Sequence, residues 1–169
     1  MLVGAPLKRR RNWWRISWQE RCKWVRMFVT AEAPETISAR NGHSRCVLCG
    51  NLNPRSLNLS FQAARDGSVR TRFKAHAELQ GYDDLLHGGV IASLLDAAMT
   101  HCLFHHGVQA VTGDLHVRFV QPVSCNVSLE IRAWVLVSYP PLYRLKAEII
   151  LEKRVMAWAE GKFMQRQVL

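Results

Sequence analysis

The chain contains no run of apolar residues approaching the roughly 18 to 20 that a membrane-spanning helix needs, which argues against an integral membrane protein. It also lacks the apolar core of a signal peptide, because charged residues interrupt the sequence soon after the basic run 8–11. The 5 cysteines are an odd number without a repeated spacing, which argues against a disulfide scaffold and for a reducing compartment. We therefore expect a cytoplasmic protein.

Positive charge is concentrated near the N-terminus. Residues 1–45 hold 10 Lys and Arg against 3 Asp and Glu, whereas the remaining residues hold 13 against 10. Four of the 6 tryptophans lie within residues 13–24. This stretch is compatible with a helix on an anionic membrane surface, a targeting peptide, a helix that docks on its own domain, or a true start at Met27. We expect a basic, Trp-rich extension and linker over 1–45 and a folded domain over 46–169. We expect no nucleic-acid partner, and membrane contact of this extension is the less favoured alternative.

The domain is organised around residues 86–99, which begin with a turn and continue as a helix. Two glycines, Gly88 and Gly89, follow His87, which suits a backbone that must approach another group closely at a helix start. From Val90 onward, apolar side chains recur at i, i+3 and i+4, and no proline occurs before Gly107. Because the helix is apolar nearly all round, we expect it to be buried.

Alternating apolar and polar residues predict strands on both sides of this helix. Two precede it, over 57–63 and 69–75, joined by a hairpin at Asp66-Gly67, and a loop over 80–84 leads into the helix. Four more strands follow, over 110–120, 128–137, 143–151 and 155–164. This order predicts an α+β fold in which an antiparallel sheet packs around one long helix.

Asp96 is the one charged residue on the predicted helix, and a buried carboxylate requires either polar partners or a function. Asp96 follows His87-Gly88-Gly89 at a spacing of nine residues from the histidine. Further along, residues 112–123 form a strand that ends in Pro122-Val123. Together and in this order, these features resemble the hotdog-fold thioesterases of the PaaI-like family, which is related to 4-hydroxybenzoyl-CoA thioesterase. The resemblance extends from about Cys46 to the C-terminus.

The resemblance implies the hotdog fold and hydrolysis of an acyl- or aryl-CoA thioester to the free acid and CoA. It implies that the Gly88 backbone N–H polarises the thioester carbonyl, and that Asp96 acts as general base or as nucleophile. Thr112 would hold the attacking water, and His87 would fix the turn or move a proton. The implied substrate-binding positions are Gly89, Gln80 and Gly81.

One position departs from the family pattern. Family members often carry a side-chain amide or imidazole about six residues before the histidine, where this chain has Gly81 with Gln80 beside it. Gln80 could supply the amide if the backbone shifts. Otherwise, stabilisation of the oxyanion depends more heavily on Gly88.

The spacing of Gly88 and Asp96 also bears on assembly. Eight helical residues span about 12 Å, so both groups of one chain can hardly reach one carbonyl. We therefore expect a homodimer or homotetramer, with active sites between subunits. This agrees with what the resemblance implies, since the family's sites lie between central helices of two subunits.

Two further clusters could bind metal. Cys46 and Cys49 have the spacing of a zinc or redox pair, but His43 is the only nearby third ligand and no second Cys-x-x-Cys exists. We expect a turn with two reduced thiols, no metal and no cofactor. Along the helix end, His101, His105 and His106 are expected to be exposed histidines that interact with the helix dipole.

Two alternatives stay open at this stage. A hotdog domain could bind acyl-CoA without hydrolysing it, as a ligand sensor with the basic extension as its effector. Asp96 argues against that interpretation, because a binder gains nothing from an acid in its pocket. A zinc-ribbon nucleic-acid binder lacks the second pair of ligands. The acyl specificity depends on which way Met99, Phe104 and Trp134 face.

Overall fold

The computed structural model describes residues 42–166. The predicted extension over 1–45 lies outside the described residues except for its last four positions. One long helix, α1 (Gly88–His105), follows four short strands and precedes four long ones. The strands are β1 (Gln62–Ala63), β2 (Val69–Lys74), β3 (Gln80–Tyr82), β4 (Leu85–Leu86), β5 (Ala110–Phe119), β6 (Ser128–Tyr139), β7 (Leu142–Leu151) and β8 (Arg154–Gln165). A single 3₁₀ turn covers Ala77–Leu79.

Six strands form one antiparallel sheet in the order β1-β2-β6-β7-β8-β5, and β3 pairs with β4 in a separate hairpin. Strand β5 pairs with β8 on one side and forms the edge of the sheet. The two strands that flank the helix in sequence, β4 and β5, therefore belong to different sheets. Helix α1 packs against β2, β5, β6, β7 and β8 of the large sheet.

Burial of α1 provides the centre of the core. Ten of its residues are buried, among them Leu94, Leu95 and Met99, which are fully shielded from solvent. The facing strand residues are also apolar, as Leu129, Ile131 and Ala133 illustrate on β6. The expectation of a buried helix is thus correct except along one stripe, where small and polar residues are only partly buried. This stripe contains Ala92, Ser93, Asp96 and Thr100, and it continues the exposed Gly89 at the helix start.

The long strands and the helix lie where the sequence predicts them, but two short segments differ. The strand expected over 57–63 is reduced to β1, because Asn58 adopts a left-handed backbone (φ 53°) and the preceding residues bond elsewhere. The N–H groups of Leu57 and Leu59 donate to the carbonyls of Val47 and Leu48. The loop expected over 80–84 is partly the β3–β4 hairpin, which turns at Asp84 (φ 59°). Among the described residues, no helix has the length and apolar character to span a membrane.

Candidate active site

Asp96 and Thr112 meet at the centre of the candidate site. Asp96 lies in the middle of α1, and Thr112 lies near the start of the edge strand β5. The Thr112 hydroxyl donates a hydrogen bond of 2.6 Å to Asp96 Oδ1. This is the polar partner that a carboxylate on an apolar helix requires. The pair also links the helix to the edge of the sheet.

The environment of Asp96 changes its acidity. Burial of the carboxyl raises the pKa of Asp96, and the hydrogen bond from Thr112 offsets part of that increase. Asp96 belongs to the partly buried stripe of α1, so its carboxylate is desolvated without being sealed in the core. A carboxylate with these properties is a stronger base than one in water, and it remains accessible to a substrate.

His87 begins the helix and caps it with its own side chain. Its backbone is extended (φ −62°, ψ 133°), and its Nδ1 accepts a hydrogen bond of 2.8 Å from the Gly89 N–H. The His87 carbonyl accepts from Val90 and Ile91, which begins the helical hydrogen-bond pattern. His87 Nδ1 is therefore engaged within the turn that begins the helix. No hydrogen bond within residues 42–166 uses the Gly88 N–H, so it is available as a donor.

Glycines surround the His87 ring because space there is short. A Cβ atom at Gly89 would lie 3.0 Å from His87 Nδ1, and one at Gly81 would lie 3.0 Å from His87 Cδ2. By contrast, a Cβ atom at Gly88 would make an ordinary contact of 3.5 Å with the Phe119 ring. A side chain at Gly81 would therefore require the capping histidine to shift by a few tenths of an ångström.

The side chain of Gln80 is engaged in the β3–β4 turn. Its Oε1 accepts a hydrogen bond of 3.2 Å from the Asp84 N–H, beside a register shift at Gly81. Gln80 thus stabilises the hairpin that precedes the helix. The sequence offered the Gln80 amide as a substitute for a side chain at position 81. In the structure, the oxygen of that amide accepts a hydrogen bond within the turn.

The candidate residues therefore form two groups on one chain. Asp96 and Thr112 form the carboxylate group, whereas the residues around the helix start form the donor group, which consists of Gln80, Gly81, His87, Gly88 and Gly89. Both Gly88 and Asp96 lie within the same regular helix, so the estimate of about 12 Å between them holds. The chain by itself does not bring the two groups together.

Strand β5 reaches from one group to the other. Thr112 lies near its first residue, and Phe119, whose ring lies beside Gly88, is its last. As the edge of the sheet, β5 leaves one side of its backbone without a strand partner among the described residues. Phe119 and Val120 are about half exposed, as is Val111 near the other end. A ten-residue edge with exposed apolar side chains is typical of a surface that pairs with another chain.

Of the three residues expected to set acyl specificity, Met99 and Phe104 lie on the helix side of the sheet, and Trp134 lies on its other face. Met99 and Phe104 are buried in the core side of α1. Trp134 lies on the face of β6 opposite Ala133, between two cations: Arg132 is 5.3 Å and Lys146 5.7 Å from its ring centroid. Trp134 therefore faces away from the helix and does not line a pocket between helix and sheet.

The expectation for the helix-end histidines is wrong for His101. Its side chain is only 2% exposed and stacks on Phe61 at 4.4 Å between ring centroids. Helical spacing from Leu94 and Ala98 indicated this burial, because His101 continues their face of α1. Burial and the nearby His43 lower the pKa of His101 to about 4, so its imidazole is neutral at physiological pH. His105 and His106 are exposed as expected.

The structure also groups side chains that the sequence left apart. His43 lies beside Cys46 and Cys49, and the ligand atoms of all three lie within 4.8 Å of one another. No disulfide joins the two cysteines in the described residues, and burial together with Cys46 raises the pKa of Cys49 to about 12. The only sequence signal for this cluster was the short spacing between His43 and the Cys-x-x-Cys pair.

Residues 84–137 match the family model described as the thioesterase superfamily. This segment begins in the β3–β4 turn and extends into β6, so it contains Asp96 and Thr112 together with His87, Gly88 and Gly89. A comparison with curated proteins gives no significant match.

Solved structures share the fold of this chain at low sequence identity. One is a thioesterase superfamily protein with a TM-score of 0.69 and 22% identity, which covers 86% of this chain and 74% of its own. The PaaI protein from the phenylacetic acid degradation operon of E. coli has a TM-score of 0.60 and 20% identity, over 66% of this chain and 81% of its own. A hypothetical thioesterase from Streptococcus pneumoniae TIGR4, solved with coenzyme A, has a TM-score of 0.60 and 19% identity, over 64% and 88%. The predicted hotdog fold and the resemblance to PaaI-like thioesterases are therefore confirmed.

Proposed function

We propose that this hotdog-fold chain, with its match to the thioesterase superfamily, hydrolyses the thioester bond of an acyl- or aryl-CoA. The observation that carries the proposal is the hydrogen bond from Thr112 to Asp96, which orients a desolvated carboxylate on an otherwise apolar helix. The coenzyme A bound to the S. pneumoniae relative supports CoA as the carrier of the acyl group.

Catalysis would begin at the start of α1. The Gly88 N–H has no partner in the described chain and points from a helix N-terminus, where the dipole favours negative charge. Placed on the thioester carbonyl, it would stabilise the oxyanion that forms as the carbonyl carbon is attacked. His87 keeps this N–H in position by capping the helix through Gly89.

Asp96 would supply the base. It would take a proton from water as the water oxygen attacks the carbonyl carbon, and the carbon–sulfur bond would then break to release the CoA thiolate. The proton held by Asp96 would restore the CoA thiol, so the products are the free acid and CoA. The alternative is direct attack by the carboxylate, followed by hydrolysis of the anhydride. The Thr112 hydroxyl donates its one hydrogen bond to Asp96, and its oxygen can still accept a hydrogen bond from a bound water.

A complete site would require two subunits, in a homodimer or a tetramer built from such dimers. The midpoint of β5 falls between Asp114 and Leu115. Antiparallel pairing of two β5 edges about a two-fold axis near this point would place the Thr112 end of one strand beside the Phe119 end of the other. Asp96 is hydrogen-bonded to Thr112, and Gly88 lies beside the Phe119 ring. Each carboxylate group would therefore face the donor group of the other subunit.

The test is release of free thiol from a panel of short-chain, long-chain and aryl CoA esters. Wild type is compared with Asp96→Asn and with the control Glu160→Gln. The control removes the negative charge from an exposed ion pair between Glu160 on β8 and Arg144 on β7. We expect Asp96→Asn to lower kcat by about 10²- to 10⁴-fold, as for loss of a positioned base, and the control to retain activity.

Two results would contradict the proposal. If Asp96→Asn keeps full turnover while remaining folded, the carboxylate is not the base. If wild type hydrolyses no ester in the panel but binds acyl-CoA tightly in equilibrium titration, the chain is a ligand sensor. The cytoplasmic location expected from the cysteine pattern stays a prediction that the location of the tagged full-length protein in cells would test.

A further inference from the structure

Residues 43–52 fold into a set of nested turns that gather three metal-ligand side chains. The Cys46 N–H donates to the His43 carbonyl at 2.9 Å, and the Gly50 N–H donates to the Cys46 carbonyl at 2.9 Å. The Leu52 N–H closes the outer turn on the Ser44 carbonyl at 2.8 Å. These bonds are made by the backbone, so the arrangement of the side chains does not depend on contacts between the thiols.

The turn is tight enough to require glycine after the second cysteine. A Cβ atom at Gly50 would lie 2.4 Å from the Cys46 nitrogen and 2.6 Å from the Ser44 carbonyl oxygen, which no side chain tolerates. The sequence Cys46-x-x-Cys49-Gly50 thus encodes a backbone that folds back on itself. This turn places both thiols on the same side as the His43 imidazole.

The ligand atoms of this cluster lie within 4.8 Å of one another, and one pair is close to the separation expected in a tetrahedral zinc site. Cys49 Sγ lies 3.9 Å from His43 Nδ1. Zinc bonds of roughly 2.3 Å to sulfur and 2.0 Å to nitrogen imply a separation of about 3.6 Å in a tetrahedral site. The Leu48 N–H also donates to Cys46 Sγ at 3.4 Å, and such second-shell contacts orient a ligating thiolate.

A fourth ligand-type group, His101, contacts the same aromatic ring as His43, although it lies outside the set of three whose ligand atoms are within 4.8 Å of one another. His101 and His43 both pack on the ring of Phe104, with centroid separations of 5.3 and 4.8 Å. Neither ring nitrogen of His101 has a hydrogen-bond partner within residues 42–166, although its side chain is only 2% exposed. A buried imidazole with two unsatisfied nitrogens is costly unless one of them binds something.

We propose that His43, Cys46 and Cys49 bind a structural zinc ion, with His101 as the fourth ligand. A Cys₂His₂ set with no open position is typical of structural rather than catalytic zinc. The ion would tie the turns at 43–52 to the C-terminal half of α1. It would also hold the irregular segment 57–61 in place, since Leu57 and Leu59 bond to the turn and Phe61 stacks on His101. This site is independent of the proposed catalysis.

The experiment measures metal content of the full-length chain, expressed with zinc in the medium and purified without an affinity tag under a thiol reductant. Inductively coupled plasma mass spectrometry is applied to wild type, Cys46→Ser, Cys49→Ser and the control Cys125→Ser, which alters a buried cysteine outside the cluster. We expect about one zinc ion per chain in wild type and the control, and a loss of most of it in both cluster variants.

Cobalt substitution provides a second measurement that does not depend on the variants folding. Wild type titrated with Co²⁺ after removal of zinc should show the intense visible bands of tetrahedral cobalt and the ultraviolet thiolate-to-cobalt band. Wild type that contains no zinc and develops no such spectrum would overturn the proposal. A disulfide between Cys46 and Cys49 that forms in air and excludes metal would do the same, and would instead identify a redox pair.

The fourth ligand is tested by His101→Phe, with His105→Phe as a control at an exposed position on the same helix. Zinc affinity is measured by competition with a chromophoric chelator. If His101 is a ligand, its replacement should weaken zinc binding by at least about tenfold, while the control binds as wild type does. Unchanged affinity in His101→Phe would remove this residue from the site.

Discussion

The Thr112 hydroxyl donates to the Asp96 carboxylate at 2.6 Å, across the contact between the central helix and the edge strand. This bond favours the charged form of a carboxyl group that burial pushes toward its neutral form. In the proposed mechanism, Thr112 would therefore lower the pH above which Asp96 acts as a base, in addition to any contact it makes with water.

Replacing Thr112 with valine tests this relationship. Thr112→Val removes the hydroxyl at nearly constant shape, so the pKa of Asp96 should rise further, and the acid limb of the kcat profile should move to higher pH. Activity at neutral pH falls as a result and recovers at higher pH. Thr112→Ser keeps the hydroxyl and serves as control. Steady-state kinetics across the pH range measure both, and a parallel loss at every pH would contradict a role through Asp96.

Gly88→Pro removes the proposed oxyanion donor with little cost to the fold. Proline is favoured at the first position of a helix, the preceding His87 is already extended, and a Cβ atom at Gly88 meets only ordinary contact. We expect kcat to fall by about 10²- to 10³-fold, as for other lost oxyanion donors. Gly88→Ala retains the N–H and is the matched control. Full activity of the proline variant would assign the donor elsewhere.

Mixing two inactive variants tests whether the site is composite. Asp96→Asn and Gly88→Pro are unfolded together in equal amounts and refolded. In a mixed dimer one site would carry both lesions, and the other would be intact. Because half of the dimers are mixed, about a quarter of the wild-type activity should return. Thiol release is compared with that of each variant refolded alone. No recovery, with mixed dimers demonstrated by mass spectrometry, would place both groups on one chain.

Asp96→Asn should also change stability in a pH-dependent way. Because folding raises the pKa of Asp96, the carboxyl favours the folded state below its unfolded pKa of about 3.9, and this contribution is lost as pH rises through the folded value. Asparagine removes the desolvation penalty of the charged form, so Tm should rise at neutral pH, and the gain should vanish in acid. Thermal unfolding of wild type and Asp96→Asn, followed by circular dichroism from pH 3.5 to 8, checks this.

The sequence alone predicts the helix and the long strands well, because their periodicity records which side faces the core. Residues of β2 alternate between buried and exposed as their sequence alternates. The sequence predicts the short segments less well, because single backbone conformations and side-chain hydrogen bonds decide their structure. Asn58 adopts a left-handed backbone, so the predicted strand begins only at Gln62, and Gln80 stabilises a hairpin by accepting a hydrogen bond from the Asp84 N–H. No periodic pattern contains that information.

For the candidate site, the sequence supplied the candidate residues, through the unusual acid and glycines of the helix and through the resemblance to a known family. Only the tertiary structure decided what these residues contact. In the folded chain, Asp96 accepts a hydrogen bond from Thr112, and His87 caps the helix. His101 is buried, and His43 lies beside the two cysteines. Local sequence fixes backbone preferences, which act between near neighbours. Contacts between distant residues depend on how the sheet and helix pack, and packing is a property of the whole chain.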